Sequence, residues 1–209
     1  DIMPSLVGSE MCIRDRSTRK GQVVFLEDVL NKAIEKVKTI MENREADIED
    51  IDETAKIVGI GAIKFQELYN NRIKDYVFDW DEVLNFDGET GPYVQYTYAR
   101  AKSVLRKAGK EEFGPMEFKN LNSKEELALI KNLAEFKNVV SKACEKYEPS
   151  MLTRHITEIA KAFNKFYNSS QIMVEDEEIK NERLALTFAS ASVIKTALKL
   201  LGIKTVEKM

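Results

Sequence analysis

Apolar positions recur at intervals of three and four residues through most of this chain, and those stripes set its predicted elements. Leu26, Val29, Leu30, Ala33, Ile34 and Val37 share one helical face, with Glu27, Lys32 and Glu35 outside it. Asp50 followed by Glu53 has the spacing of a capping box. Ile57, Ile60, Ile63 and Leu68 then continue a second helix. Gly59 and Gly61 either interrupt that helix or let another element pack closely on it. Residues 70–91 read as a connection. Asn70-Asn71, Asp87-Gly88 and Gly91-Pro92 are turn pairs, and Tyr76, Phe78, Trp80 and Phe86 are aromatic anchors. Tyr76 to Phe78 is a candidate short extended piece.

Pro92 suits the first turn of a helix, where its missing N–H would have no partner anyway. That helix should run to Lys107 or Ala108 and stop at Gly109. After a polar loop near 110–122, Ser123 and Glu126 repeat the capping-box spacing. Leu127, Ile130, Leu133, Phe136, Val140, Cys144 and Tyr147 make a long stripe that Pro149 ends. Leu152, Ile156, Ile159, Phe163 and Phe166 make the next. An acidic run from Glu175 to Glu178 precedes a last helix, whose core face is Leu184, Phe188, Ala191, Ile194, Leu198 and Leu201 and whose stop is Gly202. The fold class expected is all-α: a helical bundle over 91–209, preceded by a helical connective segment over 17–90.

Composition agrees with helices. Four prolines and nine glycines are few for 209 residues. A charged fraction of 32% exceeds the usual quarter, yet 32 basic and 35 acidic side chains leave a net charge of -3. Such a balance excludes bulk attraction to nucleic acid, so RNA binding would need a local basic patch. Cys12 and Cys144 form no CxxC pair, which argues against a disulfide framework or a cysteine zinc site and fits a reducing cytoplasm. No apolar run reaches the length of a membrane span, and no signal-peptide pattern opens the chain. Residues 1–16, DIMPSLVGSEMCIRDR, lack either periodicity, and PSLVGSEMCIRD resembles translated sequencing-adaptor sequence. This leader is expected to be non-native and disordered, and carries no functional weight.

Candidate chemistry is sparse. The single histidine, His155, is expected as a partly exposed packing residue rather than a catalyst, and no metal site is expected. There is no GxxxxGK[ST] loop, and Gly59-Ile60-Gly61 lacks a third glycine at Lys64. Ser17, Thr18, Arg19, Lys20 and Gly21 combine hydroxyls, cations and a glycine ahead of a helix, as a phosphate-holding loop can. Ordinary loops have that composition too. The helix after Pro92 carries Tyr93, Tyr96, Arg100, Ser103 and Lys107 on one stripe, and no acid stands between Thr97 and Lys110. Tyrosines stack on unpaired bases while Arg and Lys hold the backbone. Spacing alone favours the plainer outcome, in which the tyrosines pack and the charges are solvated.

Family resemblance shifts that balance. STRKGQVVFLEDVLNKAIEK resembles the segment carrying the KMSKS-type loop of arginyl-tRNA synthetases. The block from Val58 to Ala108, ending in GETGPYVQYTYARAKSVLRKA, is similar to the family's next block. LTRHITEIAKAFNKFYNSSQI and NERLALTFASASVIKTALKLLGIKTVEKM resemble its anticodon-binding domain and C-terminal end. The likeness runs from about Ser17 to Met209.

The resemblance implies a class I ligase that joins arginine to its tRNA with ATP, magnesium being the counter-ion of ATP. It implies a cytoplasmic location and no membrane or DNA partner. Residues 17–90 would end the catalytic domain and 91–209 would bind the anticodon side of arginine tRNA. Ser17, Thr18, Arg19 and Lys20 would occupy the ATP loop, with Asp15-Arg16 in place of Lys-Met and Thr18 in place of the second lysine. The two-histidine HIGH motif, the arginine pocket and the N-terminal tRNA-reading domain are not in this sequence. The expectation is a fragment with no complete catalytic set, no adenylate formation and no cofactor of its own, whose partners include the enzyme's other domains. Its tRNA-contact candidates are Tyr93, Tyr96, Arg100, Lys107, Asn164 and Tyr167, with Phe163 and Phe166 in the core. The competing expectation is a helical protein-interaction module that buries Tyr93 and Tyr96 and binds no RNA.

Overall fold

A computed structural model describes residues 25–43, 48–71, 73–74 and 76–209. Among these the chain forms helices α1 (Leu26–Asn43), α2 (Ile51–Tyr69), α3 (Trp80–Val83), α4 (Gly91–Ala108), α5 (Lys124–Lys146), α6 (Ser150–Ser169) and α7 (Glu177–Leu200), and no strand. Five of these starts are set by short polar side chains that accept the first free N–H groups. Asp50 accepts from the Glu53 N–H at 2.9 Å. Thr90 accepts from the Tyr93 N–H at 3.2 Å and donates to the Asn85 carbonyl at 2.5 Å, which ties the preceding turn to α4. Ser123 and Glu126 form the reciprocal capping box expected from their spacing. Gly109 ends α4 at φ 65°, a left-handed conformation that costs glycine nothing.

Two apolar clusters organise the packing. The larger lies among α4, α5, α6 and α7 and buries Val94, Tyr98, Leu105, Leu129, Ile156, Phe163, Phe166, Leu184, Ile194 and Leu198. The smaller joins α1, α2 and α3 through Ala33, Val37, Val58, Ile63, Leu84 and Phe86. Helix α2 serves both, because Phe65 turns into the larger cluster while Ala62 and Ile63 stay in the smaller.

The glycines of α2 leave its helix intact and permit close approach. A Cβ on Gly59 would lie 2.9 Å from the Ile34 nitrogen of α1, and one on Gly91 would lie 2.8 Å from Phe65 Cβ. Gly59→Ala should therefore destabilise by about 1–2 kcal/mol, because clash with rigid α1 backbone outweighs alanine's helix-propensity gain of about 1 kcal/mol. Urea unfolding measures this, and an unchanged midpoint would mean that α1 and α2 are not in that contact.

Two local expectations need correction. Tyr76 to Phe78 is not extended structure in a sheet, and α3 begins two residues later, started by Asp79 accepting from Asp81 and Glu82 N–H groups. Nothing in a four-residue helix can show periodicity. The α5 stripe holds in its middle, where Ile130, Leu133, Phe136 and Val140 pack on the larger cluster, and fails at its ends: Leu129 and Ala143 are buried there, while Leu127, Cys144 and Tyr147 are exposed. Helix α5 meets the bundle along one edge, through Ile130, Leu133, Phe136 and Val140, so its outer apolar residues stay in solvent. Tyr147 takes the left-handed conformation at φ 51° that closes α5 ahead of Pro149.

Candidate nucleic-acid interface

An open groove of about 760 Å³ runs between the outward face of α4 and the turn that follows α6. From α4 it is lined by Tyr96, Arg100, Ser103, Arg106 and Lys107, and across from them by Tyr167, Gln171 and Met173. Lys208 and Met209 close one end. Four cations and two tyrosines thus line it, with no acidic side chain among the lining residues. The seven-residue advance from Tyr96 to Ser103, in steps of four and three, keeps this stripe on one side of α4 while Val94, Tyr98 and Leu105 face the core.

Arg100 is the centre of the groove wall. Its guanidinium lies 4.7 Å from the Tyr96 ring centroid and 5.2 Å from that of Tyr167. It donates through Nη1 to Asn164 Oδ1, and through Nη2 to the Tyr96 hydroxyl at 3.3 Å. Asn164 is buried at 9% exposure beneath it. The Asn164 amide donates onward to the Tyr93 hydroxyl at 3.0 Å and to Thr97 Oγ1 at 2.9 Å. A fully used buried amide of this kind locks its partners in one arrangement. Tyr167 is 39% exposed and stacks on Phe163, which anchors one edge of the ring in the core.

Charges around the groove are not equally available. Lys102 pairs with Glu111 and Glu207, and Arg106 reaches Glu207. Lys208 pairs with Glu49 at 2.9 Å on the surface. Lys107 has no ion-pair partner among the described residues. The four cations of α4 are therefore partly neutralised, by Glu111 just past the helix and by Glu207 from the chain's far end, and Arg100 and Lys107 carry their free charge into the groove.

Of the sequence candidates, Tyr96, Arg100, Lys107 and Tyr167 come together in the groove. Tyr93 lies one turn earlier, half-buried against the larger cluster, and Asn164 sits below the surface. Tyr96 is half-buried too and packs on the smaller cluster. Packing and groove lining, posed as alternatives by spacing, are thus both met by one side chain. Ser17, Thr18, Arg19 and Lys20 lie outside the described residues. His155 is half-buried and its Nε2 lies 3.0 Å from the Asn132 carbonyl; burial holds its pKa below the ordinary imidazole value. Sequence reasoning missed Gln171, Met173, Lys208 and Met209, which reach the groove from segments without periodicity.

A second cluster braces the same face. Glu89, just before α4, accepts from the Tyr69 hydroxyl and from Lys161 Nζ at 2.5 Å. Burial first, and then the Glu89 carboxylate, push the Tyr69 phenol up to about 12. The bond from Lys161 holds the Glu89 carboxyl below its ordinary range. The cluster fixes the entry to α4 against α2 and α6.

A profile of the DALR anticodon binding domain matches residues 94–209, and one of the class I (R) tRNA synthetase catalytic domain matches residues 7–80. An arginine–tRNA ligase of Halothermothrix orenii is 58% identical over 193 residues, 92% of this chain and 34% of the relative. One of Clostridium beijerinckii is 50% identical over 197 residues, 94% of this chain and 35% of the relative. The chain thus spans about a third of the length of the curated relatives it matches. Among solved structures, the arginyl-tRNA synthetase of Thermus thermophilus aligns at TM-score 0.83 and 34% identity, covering 90% of this chain and 32% of that one. That of Plasmodium falciparum aligns at TM-score 0.72 and 26% identity, covering 90% and 34%.

Proposed function

This chain belongs to the arginyl-tRNA synthetase family, and from that we propose that it is the anticodon-side tRNA-binding part of an arginine–tRNA ligase. The observation that carries the proposal is the groove on α4, where Tyr96, Arg100, Lys107 and Tyr167 meet with no acidic side chain in the lining. Two partly exposed rings offer stacking surfaces to unpaired bases, and the cations beside them suit the adjoining phosphates. Tyr93 and Asn164 act from below, holding the rings and the guanidinium rather than touching RNA. Single-stranded loop nucleotides fit such a place better than duplex, because only splayed bases can reach a ring.

The whole ligase would join arginine to its tRNA in two steps, forming arginyl-adenylate from arginine and ATP and then passing arginine to the tRNA. ATP with its magnesium belongs to that larger protein, in the cytoplasm. Residues 17–90 would end its catalytic domain and 91–209 form the anticodon domain. Ser17, Thr18, Arg19 and Lys20 remain the loop candidates for ATP, and no step is assigned to them. No helix among the described residues is long and apolar enough to cross a membrane.

The test is titration of the chain with an arginine tRNA anticodon stem-loop, followed by fluorescence anisotropy over about 50–200 mM salt. Affinity should fall as salt rises, and Lys107→Ala should lower the log–log slope by about 0.7, the value for one single-strand phosphate contact. A slope identical in the Lys107→Ala protein would remove that residue from the interface. No binding at any salt would favour the protein-interaction alternative.

A further inference from the structure

We infer that Gln95 is a positioning residue, which fixes the register of the strap at residues 202–209 and so places one wall of the groove. The inference rests on the reading of that groove as an RNA site. Gln95 is fully buried on α4, and its Nε2 donates to the Lys204 carbonyl at 2.8 Å, across 109 residues of sequence. Its Oε1 is a buried side-chain acceptor without a hydrogen-bond partner. Leaving such an atom unpaired is unfavourable, and an apolar side chain of the same shape would avoid it. What the amide supplies in return is a directional hold on the strap.

The surroundings are built for that hold. Gly61 has no Cβ where the Gln95 amide lies; one there would sit 2.8 Å from Nε2. The Gly202 and Ile203 N–H groups donate to carbonyls at the end of α7, and beyond them the strap has no regular secondary structure and is held by side chains that reach its carbonyls. Lys64 donates to the Gly202 carbonyl at 2.9 Å, Gln95 to that of Lys204, and Arg106 to that of Glu207 at 3.1 Å. Between these points Ile203 enters the larger cluster and Val206 the smaller. Gln95 is the buried middle anchor; Lys64 and Arg106 work at the surface. The same strap delivers Lys208 and Met209 to the groove. A slip of one residue would withdraw both from it.

Gln95→Met tests the idea, since methionine keeps the shape and removes the donor. Lys64→Ala loosens the strap from an exposed position where folding is not at stake. Each should weaken anticodon stem-loop binding by about tenfold with unchanged helix content, as expected for losing one cation and one apolar contact from the wall. In a chain trimmed after Glu207, where that wall is already gone, the same substitutions should change affinity by less than about twofold. A purely structural role would give equal losses in the trimmed and untrimmed chains, and that result overturns the inference. So does parental affinity in Gln95→Met. No binding by the unmodified chain would remove the groove reading and this inference together, whereas binding that is indifferent to Gln95 removes the positioning role alone.

Discussion

Arg100→Ala should weaken stem-loop binding by about 2–3 kcal/mol, roughly 30- to 150-fold, while leaving the fold in place. The magnitude follows from what the guanidinium does. It lies against the Tyr96 and Tyr167 rings at 4.7 and 5.2 Å and bonds to the buried Asn164 amide. Losing it removes a charge from the groove and also frees both rings, each worth about 1–3 kcal/mol when stacked on a base. Arg100→Lys separates the two contributions. Lysine restores the charge but cannot present a flat face to two rings, so the salt slope should recover while affinity stays below that of the parent. Binding by Arg100→Ala at parental strength would show that the RNA sits elsewhere.

Glu126→Ala should be the most destabilising of the polar substitutions, at about 3–4 kcal/mol. Glu126 is 1% exposed on α5, and its carboxylate accepts from Arg183 Nε at 2.8 Å and from the Ser123 N–H at 2.9 Å. Alanine strands Arg183 and removes half of the capping box together. Burial pushes the Glu126 carboxyl up, but the Ser123 N–H and Arg183 outweigh it and hold the group below the ordinary carboxylate range. A carboxyl lowered on folding stabilises fully above its unfolded value of about 4.3, and that contribution is lost as pH falls through the lower folded value. Glu126→Gln should therefore unfold with a flatter dependence on pH below about 4 than the parent. Denaturant titrations at neutral and acid pH give both quantities; a loss under about 1 kcal/mol for alanine would mean the pair is solvated in solution. The effect should reach the groove, because Arg183 Nη1 donates to the carbonyl of Gln171, a groove residue, at 2.8 Å.

Helical starts and stops were legible in the sequence because they depend on neighbours in the chain. Asp50, Ser123 and Gly109 act within a few residues, and spacing reveals them. The α6 stripe was legible for the same reason, since Phe163 and Phe166 face a core that covers that whole side. The α5 stripe fails only at its ends, Leu127, Cys144 and Tyr147, because periodicity gives a face but not how much of it a neighbour covers. The Tyr/Arg/Lys stripe of α4 could be located but not completed. Its far wall comes from the turn after α6 and from a strap without periodic pattern. Asn164 shows the other limit: helical position put it beside the exposed Tyr167, yet it lies under Arg100 and serves that side chain. The acid-free stretch from Thr97 to Lys110 also overstates the patch, because Glu111 and Glu207 approach Lys102 only in the folded chain.

Ultraviolet cross-linking of an anticodon stem-loop carrying photoreactive bases at its loop positions tests the central claim most directly. Cross-linked peptides should map to the α4 stripe around Tyr96 and Arg100 and to the segment from Tyr167 to Met173, and excess unlabelled stem-loop should abolish them. Cross-links confined to the outer face of α5 around Leu127 and Tyr147, or the same yield with an unrelated hairpin, would contradict the groove as the place where this chain reads its tRNA.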